Sequence, residues 1–256
     1  MTMEKFIQQI TKKAGATVLR RFGKDGVHYT KSHERWDVVT KADLLSEKII
    51  ISAIKKTYPS HGIISEESGR INENAGYVWI IDPIDGTLNY SSGVPMYGVM
   101  VCLVHKGKVI LSAIDIPATR EFFFAKAGSG AYLNGKRIHC SKGRNLKSTF
   151  GVHGTTLAPR TIHFLKNVLQ CAEGGYMLLG SFASPANACY VAAGKRDWIV
   201  SLNGQIWDFA PEYLILKEAG CRVTDTKGKP WKLGMLEMVA ANPTLHKQLL
   251  KLTKNV

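Results

Sequence analysis

The run Trp79-Ile80-Ile81-Asp82-Pro83-Ile84-Asp85-Gly86-Thr87 ends a hydrophobic strand with two carboxylates three residues apart, a proline between them and Gly-Thr beyond. Pro83 fixes φ and stiffens the turn, so Asp82 and Asp85 can converge on one point, while Gly86 lets backbone N–H groups approach an anion closely. Carboxylates beside anion-facing amides imply a divalent cation held between protein and phosphate. Mg²⁺ takes such a set, with octahedral oxygen coordination from a few carboxylates and the substrate's phosphate oxygens. Taken alone, Asp-Pro-x-Asp-Gly serves equally well as an ordinary surface turn.

Two further acidic segments shift the balance toward a metal. Ser65-Glu66-Glu67-Ser68 follows Gly62-Ile63-Ile64, so the glutamates end a strand expected to be buried, where charge is costly unless a cation matches it. Trp207-Asp208-Phe209-Ala210-Pro211 sets Asp208 just ahead of a proline-initiated helix, and by itself that aspartate reads as an N-cap.

The elements that must position these residues follow from hydrophobic spacing. Phe6, Ile7, Ile10, Ala14, Val18 and Leu19 make one apolar stripe on a helix ending near Phe22-Gly23. Thr40, with Asp43 three residues on, caps a second helix whose buried side is expected to be Leu44, Leu45, Ile49, Ile51 and Ile54, up to Tyr58-Pro59. The segment 23–36 between them reads as a polar loop that, through Lys31 and its neighbours, is placed to act as a lid. From Tyr77 the pattern turns to β over 77–82, 96–105, 108–115, 120–125 and 130–133, with Asn134-Gly135 as the best hairpin turn. Beyond about residue 145 strands at 150–154 and 197–202 alternate with helices near 159–171, 185–193, 208–219 and after Pro243, and Gly220 stops the third of these helices. The expectation is an α+β lobe over 1–145 carrying most of the acidic residues and an α/β lobe over 146–256 contributing Asp208, with a small-molecule cleft between them.

Composition narrows the class. A chain of 256 residues with 45% hydrophobic and 9% aromatic content buries a sizeable core and is not disordered, and no apolar run is long enough to cross a bilayer. The opening Met-Thr-Met-Glu-Lys-Phe lacks the apolar stretch of a secretory signal, so a cytoplasmic location is expected. Five cysteines, an odd number and none in a CxxC spacing, read as reduced thiols, and the eight scattered histidines do not space like zinc ligands. Thirty-four Lys and Arg against 20 Asp and Glu leave a net charge of +14, which attracts polyanions or steers a phosphorylated substrate. The basic residues lack the aromatic interleaving of an RNA platform, so they read mainly as a solvated surface, and a nucleic acid or RNA-bearing partner has no support of its own.

The acidic segments also resemble a known family. Ile64-Ser65-Glu66-Glu67-Ser68, residues 79–90 (WIIDPIDGTLNY) and residues 207–220 (WDFAPEYLILKEAG), in this order and spacing and supported by 37–43 (DVVTKAD) and 190–197 (YVAAGKRD), are similar to the signatures of the inositol monophosphatase family of Mg²⁺-dependent, lithium-sensitive phosphatases. The resemblance covers nearly the whole chain. It implies the layered αβαβα sandwich of the inositol monophosphatase and sugar phosphatase fold, an α+β/α/β class, and two to three Mg²⁺ ions. By the same resemblance Glu66, Asp82 and the carbonyl of Ile84 hold a first ion, and Asp82, Asp85 and Asp208 hold a second. Thr87, oriented by Asp43 and assisted by Glu66, activates the attacking water, and the amides of Gly86 and Thr87 cradle the phosphate. Glu67 stands behind the ligand set. No G-x-S-x-G or other nucleophile motif occurs, so direct in-line attack by water is the expected route.

The substrate side departs from the family pattern. Where inositol-specific members carry Glu seven residues before the Asp of the Trp-Asp motif, this chain has Ser201, and where a His is usual three residues before it, Gln205. With Asp85, these two are the expected contacts to substrate hydroxyls, and both bind them less strongly than a carboxylate does. Residues 180–186 also lack the usual arginine and carry Pro185. Inositol monophosphate or a related small sugar phosphate ranks first as substrate. Fructose 1,6-bisphosphate and NADP⁺ or a 3′-phosphonucleotide rank second, and a regulatory RNA- or protein-binding role ranks below these. A homodimer is expected from family habit and from Phe122-Phe123-Phe124, whose middle ring faces opposite to its neighbours and needs a second cover, from a helix layer or a partner subunit.

Overall fold

In the computed structural model, residues 1–34, 36–154, 157–254 and 256 are described. Thr2 caps helix α1 (Met3–Arg21) by accepting from the Lys5 N–H at 3.3 Å, and the predicted apolar stripe faces inward except for Leu19, which is exposed. The following segment is more than a loop: strand β1 (Val27–Thr30) pairs antiparallel with β2 (Val38–Thr40) in a two-stranded ribbon. All four β1 residues are exposed, which explains why no alternating pattern betrayed the strand.

Helix α2 (Lys41–Thr57) begins with the predicted capping box of Thr40 and Asp43. Its inward face differs from expectation, since Leu44 and Leu45 are exposed and Ala42, Asp43, Ser46, Glu47, Ile50 and Ile54 are buried. Each polar residue of that stripe has a partner. Ser46 Oγ donates to the Pro83 carbonyl at 2.8 Å, and Glu47 accepts from the Ser68 N–H at 2.9 Å and from the Ser65 hydroxyl. Burial of hydrogen-bonded polar groups toward the site thus outweighs burial of two leucines.

The larger sheet contains β3 (Gly62–Ser65), β4 (Gly69–Ile71), β5 (Tyr77–Asp85), β6 (Gly98–His105), β7 (Lys108–Ile116), β8 (Glu121–Lys126), β9 (Gly130–Leu133) and β10 (Lys136–Ile138), in the order β10-β9-β8-β7-β6-β5-β3-β4. Only β3 and β5 run parallel, and a short helix α3 (Thr87–Ser91) follows β5. Asn134 and Gly135, with φ of 48° and 79°, make the predicted tight turn between β9 and β10. The smaller sheet, ordered β12-β11-β13-β15-β14, contains β11 (Phe150–His153), β12 (Leu178–Gly180), β13 (Trp198–Ser201), β14 (Arg222–Thr224) and β15 (Met238–Ala241). Its helices are α4 (Pro159–Ala172), α5 (Ser184–Ala192), α6 (Ile206–Glu218) and α7 (Pro243–Leu252).

Period-two alternation builds the layers. In β5, Trp79 and Ile81 join the core under α1 and α2, while Val78 and Ile80 face the core shared with α5 and α6. The other side of α5 and α6 meets Val152, Ile199 and Ala240 of the smaller sheet, whose far face buries Trp198, Val200 and Val239 under α4 and α7. The result is an αβαβα sandwich. Gly151 on β11 belongs to this packing, because a Cβ there would lie 1.9 Å from the Trp198 ring. Phe123 packs into the α5/α6 core, Phe122 is buried on the α1 side and Phe124 packs beside it. The middle ring is therefore covered by helices of its own chain and gives no argument for a partner subunit, while Phe124 stays partly exposed.

Asp115 on β7, 8% exposed, lies under α1, where a Cβ on Gly15 would sit 1.9 Å from Oδ2. Burial pushes its carboxyl up to about 7 against the pull of Lys12. Its pKa is thus higher folded than unfolded, so its contribution is present at low pH and lost as pH rises toward 7. Asp115→Asn should raise stability at pH 8 by about 1–3 kcal/mol, and the gain should shrink at pH 5. Thermal unfolding of the two proteins at both pH values checks this, and an equal gain at both would contradict it.

Candidate active site

The end of β5 is built to turn two carboxylates to one side. Asp82 pairs with Met100 and Asp85 with Gly98, and the register slips between them around Pro83, which has no N–H for the ladder. Gly86 follows at φ 84°, ψ 34°, a left-handed conformation suited to glycine, and leads into α3. Asp208 arrives from the other side on α6. It is not the N-cap that its sequence context suggested: the helix starts at Ile206, Pro211 lies inside it, and Asp208 is its third residue, with Oδ2 accepting the Gln205 N–H at 2.7 Å.

Asp82, Asp85 and Asp208 bring one oxygen each within 4.8 Å of one another. Asp82 is 2% exposed and its Oδ1 is buried without a hydrogen-bond partner. Burial, and then the charges of Glu66, Asp85 and Asp208, push its carboxyl well above the usual range, and burial followed by Asp208 does the same to Asp85. Asp208 is raised to about 7, again chiefly by burial. Glu66, just past β3 with its N–H on the Ile81 carbonyl at 3.2 Å, borders Asp82 without joining the three-carboxylate cluster. An all-oxygen donor set with crowded like charge and an orphaned buried oxygen fits a hard divalent cation such as Mg²⁺.

Lys31, from the β1–β2 connection, places Nζ 2.7 Å from both Glu66 Oε1 and Glu67 Oε1. The segment expected to lie over the site thus does reach it, through a basic residue that neutralises the two glutamates. Glu67, raised to about 7 by burial against the pull of Lys31, faces this lysine.

Thr87 Oγ1 stands 2.7 Å from the Ile84 carbonyl and 3.1 Å from Asp43 Oδ1. Its single proton serves one of these at a time, so a cation on the Ile84 carbonyl would direct it to Asp43. Asp43 is fully buried, and burial raises its carboxyl to about 6 although Thr40 and Thr87 hydrogen-bond to it.

These groups open into a cleft of about 840 Å³ that Glu66, Asp82, Ile84, Asp85, Gly86, Thr87, Ser201, Gln205 and Asp208 all line. Asp43 reaches it only through Thr87. Sequence reading missed Asp37, Asn187, Asn203 and Leu157 on its walls and left Trp36 within the loop, while Phe182 comes from the 180–186 segment expected on the substrate side. Asp37 lies in a segment singled out only for its resemblance, and Asn187 sits in a predicted helix with no mark of which face it presents. Among the described residues no Lys or Arg lines the cleft.

With this geometry, comparison with known proteins is direct. The inositol monophosphatase family model matches residues 1–256, and the chain belongs to that family. It is 32% identical over 252 residues to the fructose-1,6-bisphosphatase/inositol-1-monophosphatase of Thermotoga maritima, covering 98% of this chain and 95% of that one. It is 35% identical over 247 residues to a putative Nus factor SuhB of Neisseria meningitidis serogroup B, covering 94% of each. The crystal structure of extragenic suppressor protein suhB from Bartonella henselae superposes with a TM-score of 0.90 at 31% identity, covering 98% of each chain. Family and fold place the chain among phosphatases of this superfamily. Among the described residues no helix is long and apolar enough to cross a membrane.

Proposed function

We propose that the protein hydrolyses phosphomonoesters with Mg²⁺ as its cofactor. The observation that carries this reading is the convergence of Asp82, Asp85 and Asp208 within 4.8 Å, with a buried unpartnered oxygen, beside the Gly86-Thr87 turn. When bound, Mg²⁺ neutralises phosphate oxygens and lowers the pKa of water. Glu66, Asp82 and the Ile84 carbonyl hold one ion and Asp82, Asp85 and Asp208 another. Thr87 and Asp43 form the relay that orients the attacking water and receives its proton, with Glu66 assisting. The N–H groups of Gly86 and Thr87 hold the phosphate.

The ester side of the cleft offers neutral polar groups in Ser201, Asn203 and Gln205. With Asp85 they suit the hydroxyls of inositol monophosphate or a related small sugar phosphate, ahead of fructose 1,6-bisphosphate, NADP⁺ or a 3′-phosphonucleotide. Phosphate release from these four substrate types with Mg²⁺ should give the highest kcat/KM on the monophosphates. A clear preference for the bisphosphate or NADP⁺ would overturn the ranking. Millimolar Li⁺, small enough for the position between Asp82, Asp85 and Asp208, should inhibit more than equal Na⁺ or K⁺.

A second reading, binding to an RNA-bearing partner, draws on the +14 charge and on the relative named a putative Nus factor. It ranks lower because it leaves the converging carboxylates without a purpose.

A further inference from the structure

Glu212 is fully buried one helical turn past Asp208 on α6, and the proposed reaction does not use it. Its Oε1 accepts from Ser184 Oγ at 2.7 Å, and its Oε2 is buried without a partner. Burial, reinforced by the charges of Asp85 and Asp208, pushes its carboxyl well up and favours the neutral acid. A carboxyl kept so deep without a full set of partners is costly, which calls for a reason beyond packing.

The reason lies in what Ser184 touches. Ser184 opens α5, and the start of that helix rests directly on the turn that carries Asp85. A Cβ on Gly86 would lie 2.9 Å from the Ala183 Cβ, and a Cβ on Gly98, the ladder partner of Asp85, would lie 3.1 Å from Pro185 Cγ. The Ser184 backbone N–H faces Asp85 and favours its ionised form. The Glu212–Ser184 hydrogen bond therefore ties the helix that bears Asp208 to the helix start seated on Asp85.

We propose that Glu212 is a positioning residue: by holding Ser184 it sets the spacing of Asp85 and Asp208, and through that spacing the affinity of the site for the cation between them. This rests on the metal reading above. Partners placed behind metal ligands commonly change affinity by about 10–100-fold when removed.

The test is Mn²⁺ binding to the substrate-free protein, followed by loss of the free-ion paramagnetic resonance signal, with thermal unfolding in parallel. Glu212→Gln keeps the acceptor and should bind within about twofold of wild type, whereas Ser184→Ala and Glu212→Leu should each bind about 10-fold more weakly. The double variant should bind no more weakly than Glu212→Leu alone, because both changes break one link. Ser184→Ala is a small change that decides the question even if Glu212→Leu does not fold. Wild-type affinity in Ser184→Ala, or loss of thermal stability with affinity unchanged, overturns the proposal while leaving the metal site standing. Failure of the wild-type protein to bind Mn²⁺ overturns both.

Discussion

Asp82→Asn should lower phosphate release by about 1,000-fold or more while leaving the fold as stable as wild type or more so. The two halves of this expectation come from one observation. Asp82 sits 2% exposed among Glu66, Asp85 and Asp208 with an oxygen that no hydrogen bond satisfies. Without a cation its negative charge is repelled from three sides, so the nearly isosteric amide relieves a native-state cost. With cations bound, the Asp82 carboxylate would serve both proposed ions, and an amide is a much poorer ligand for Mg²⁺. Asp85→Asn should behave alike. Thermal unfolding in chelator and phosphate release in Mg²⁺ measure the two halves separately. Near wild-type turnover would mean that the assigned ligands are wrong, and a large loss of apo stability would mean that the cluster is structural.

Thr87→Ala should lower kcat by about 100-fold or more and change KM far less, as removal of a proton-handling group does. The hydroxyl lies between the Ile84 carbonyl and Asp43, and Asp43 is anchored by the Thr40 N–H at 2.8 Å. The methyl of alanine cannot pass a proton to Asp43, while Thr87→Ser keeps the hydroxyl and should restore a large part of the rate. Asp43→Asn should resemble Thr87→Ala, and the double variant should be little worse than either, since the two act in series. A rise in KM with kcat unchanged would instead assign Thr87 to ground-state binding of the ester.

The metal-facing half of the site was legible because its chemistry is local. Asp82, Pro83, Asp85, Gly86 and Thr87 lie in one turn, though that turn alone reads equally as a surface turn and takes its meaning from the acidic segments at 65–68 and 207–211. Asp208 was harder to place. Its sequence context reads as an N-cap, whereas it is the third residue of α6 and accepts the N–H of the N-cap Gln205; only the resemblance grouped it with Asp82 and Asp85, beside which the fold sets it. The inward face of α2 was misread because apolarity was taken as the mark of burial, whereas Asp43, Ser46 and Glu47 are buried with partners contributed by residues 65–87. The β1–β2 ribbon left no alternation to read, since one of its strands is wholly exposed and the other wholly buried. Glu212 gave no sign at all, because its significance depends on Ser184, a residue 28 positions away that reaches it only in the folded layers.

The central claim is that the carboxylate cluster holds a divalent cation required for phosphate release. Its most direct test is release of inorganic phosphate from inositol 1-phosphate by protein stripped with EDTA, dialysed and assayed with and without added Mg²⁺. The account predicts no turnover in the stripped protein and recovery as Mg²⁺ is restored, in the wild type but not in Asp82→Asn. Turnover that survives complete chelation, or that returns with Zn²⁺ and not with Mg²⁺, would contradict it.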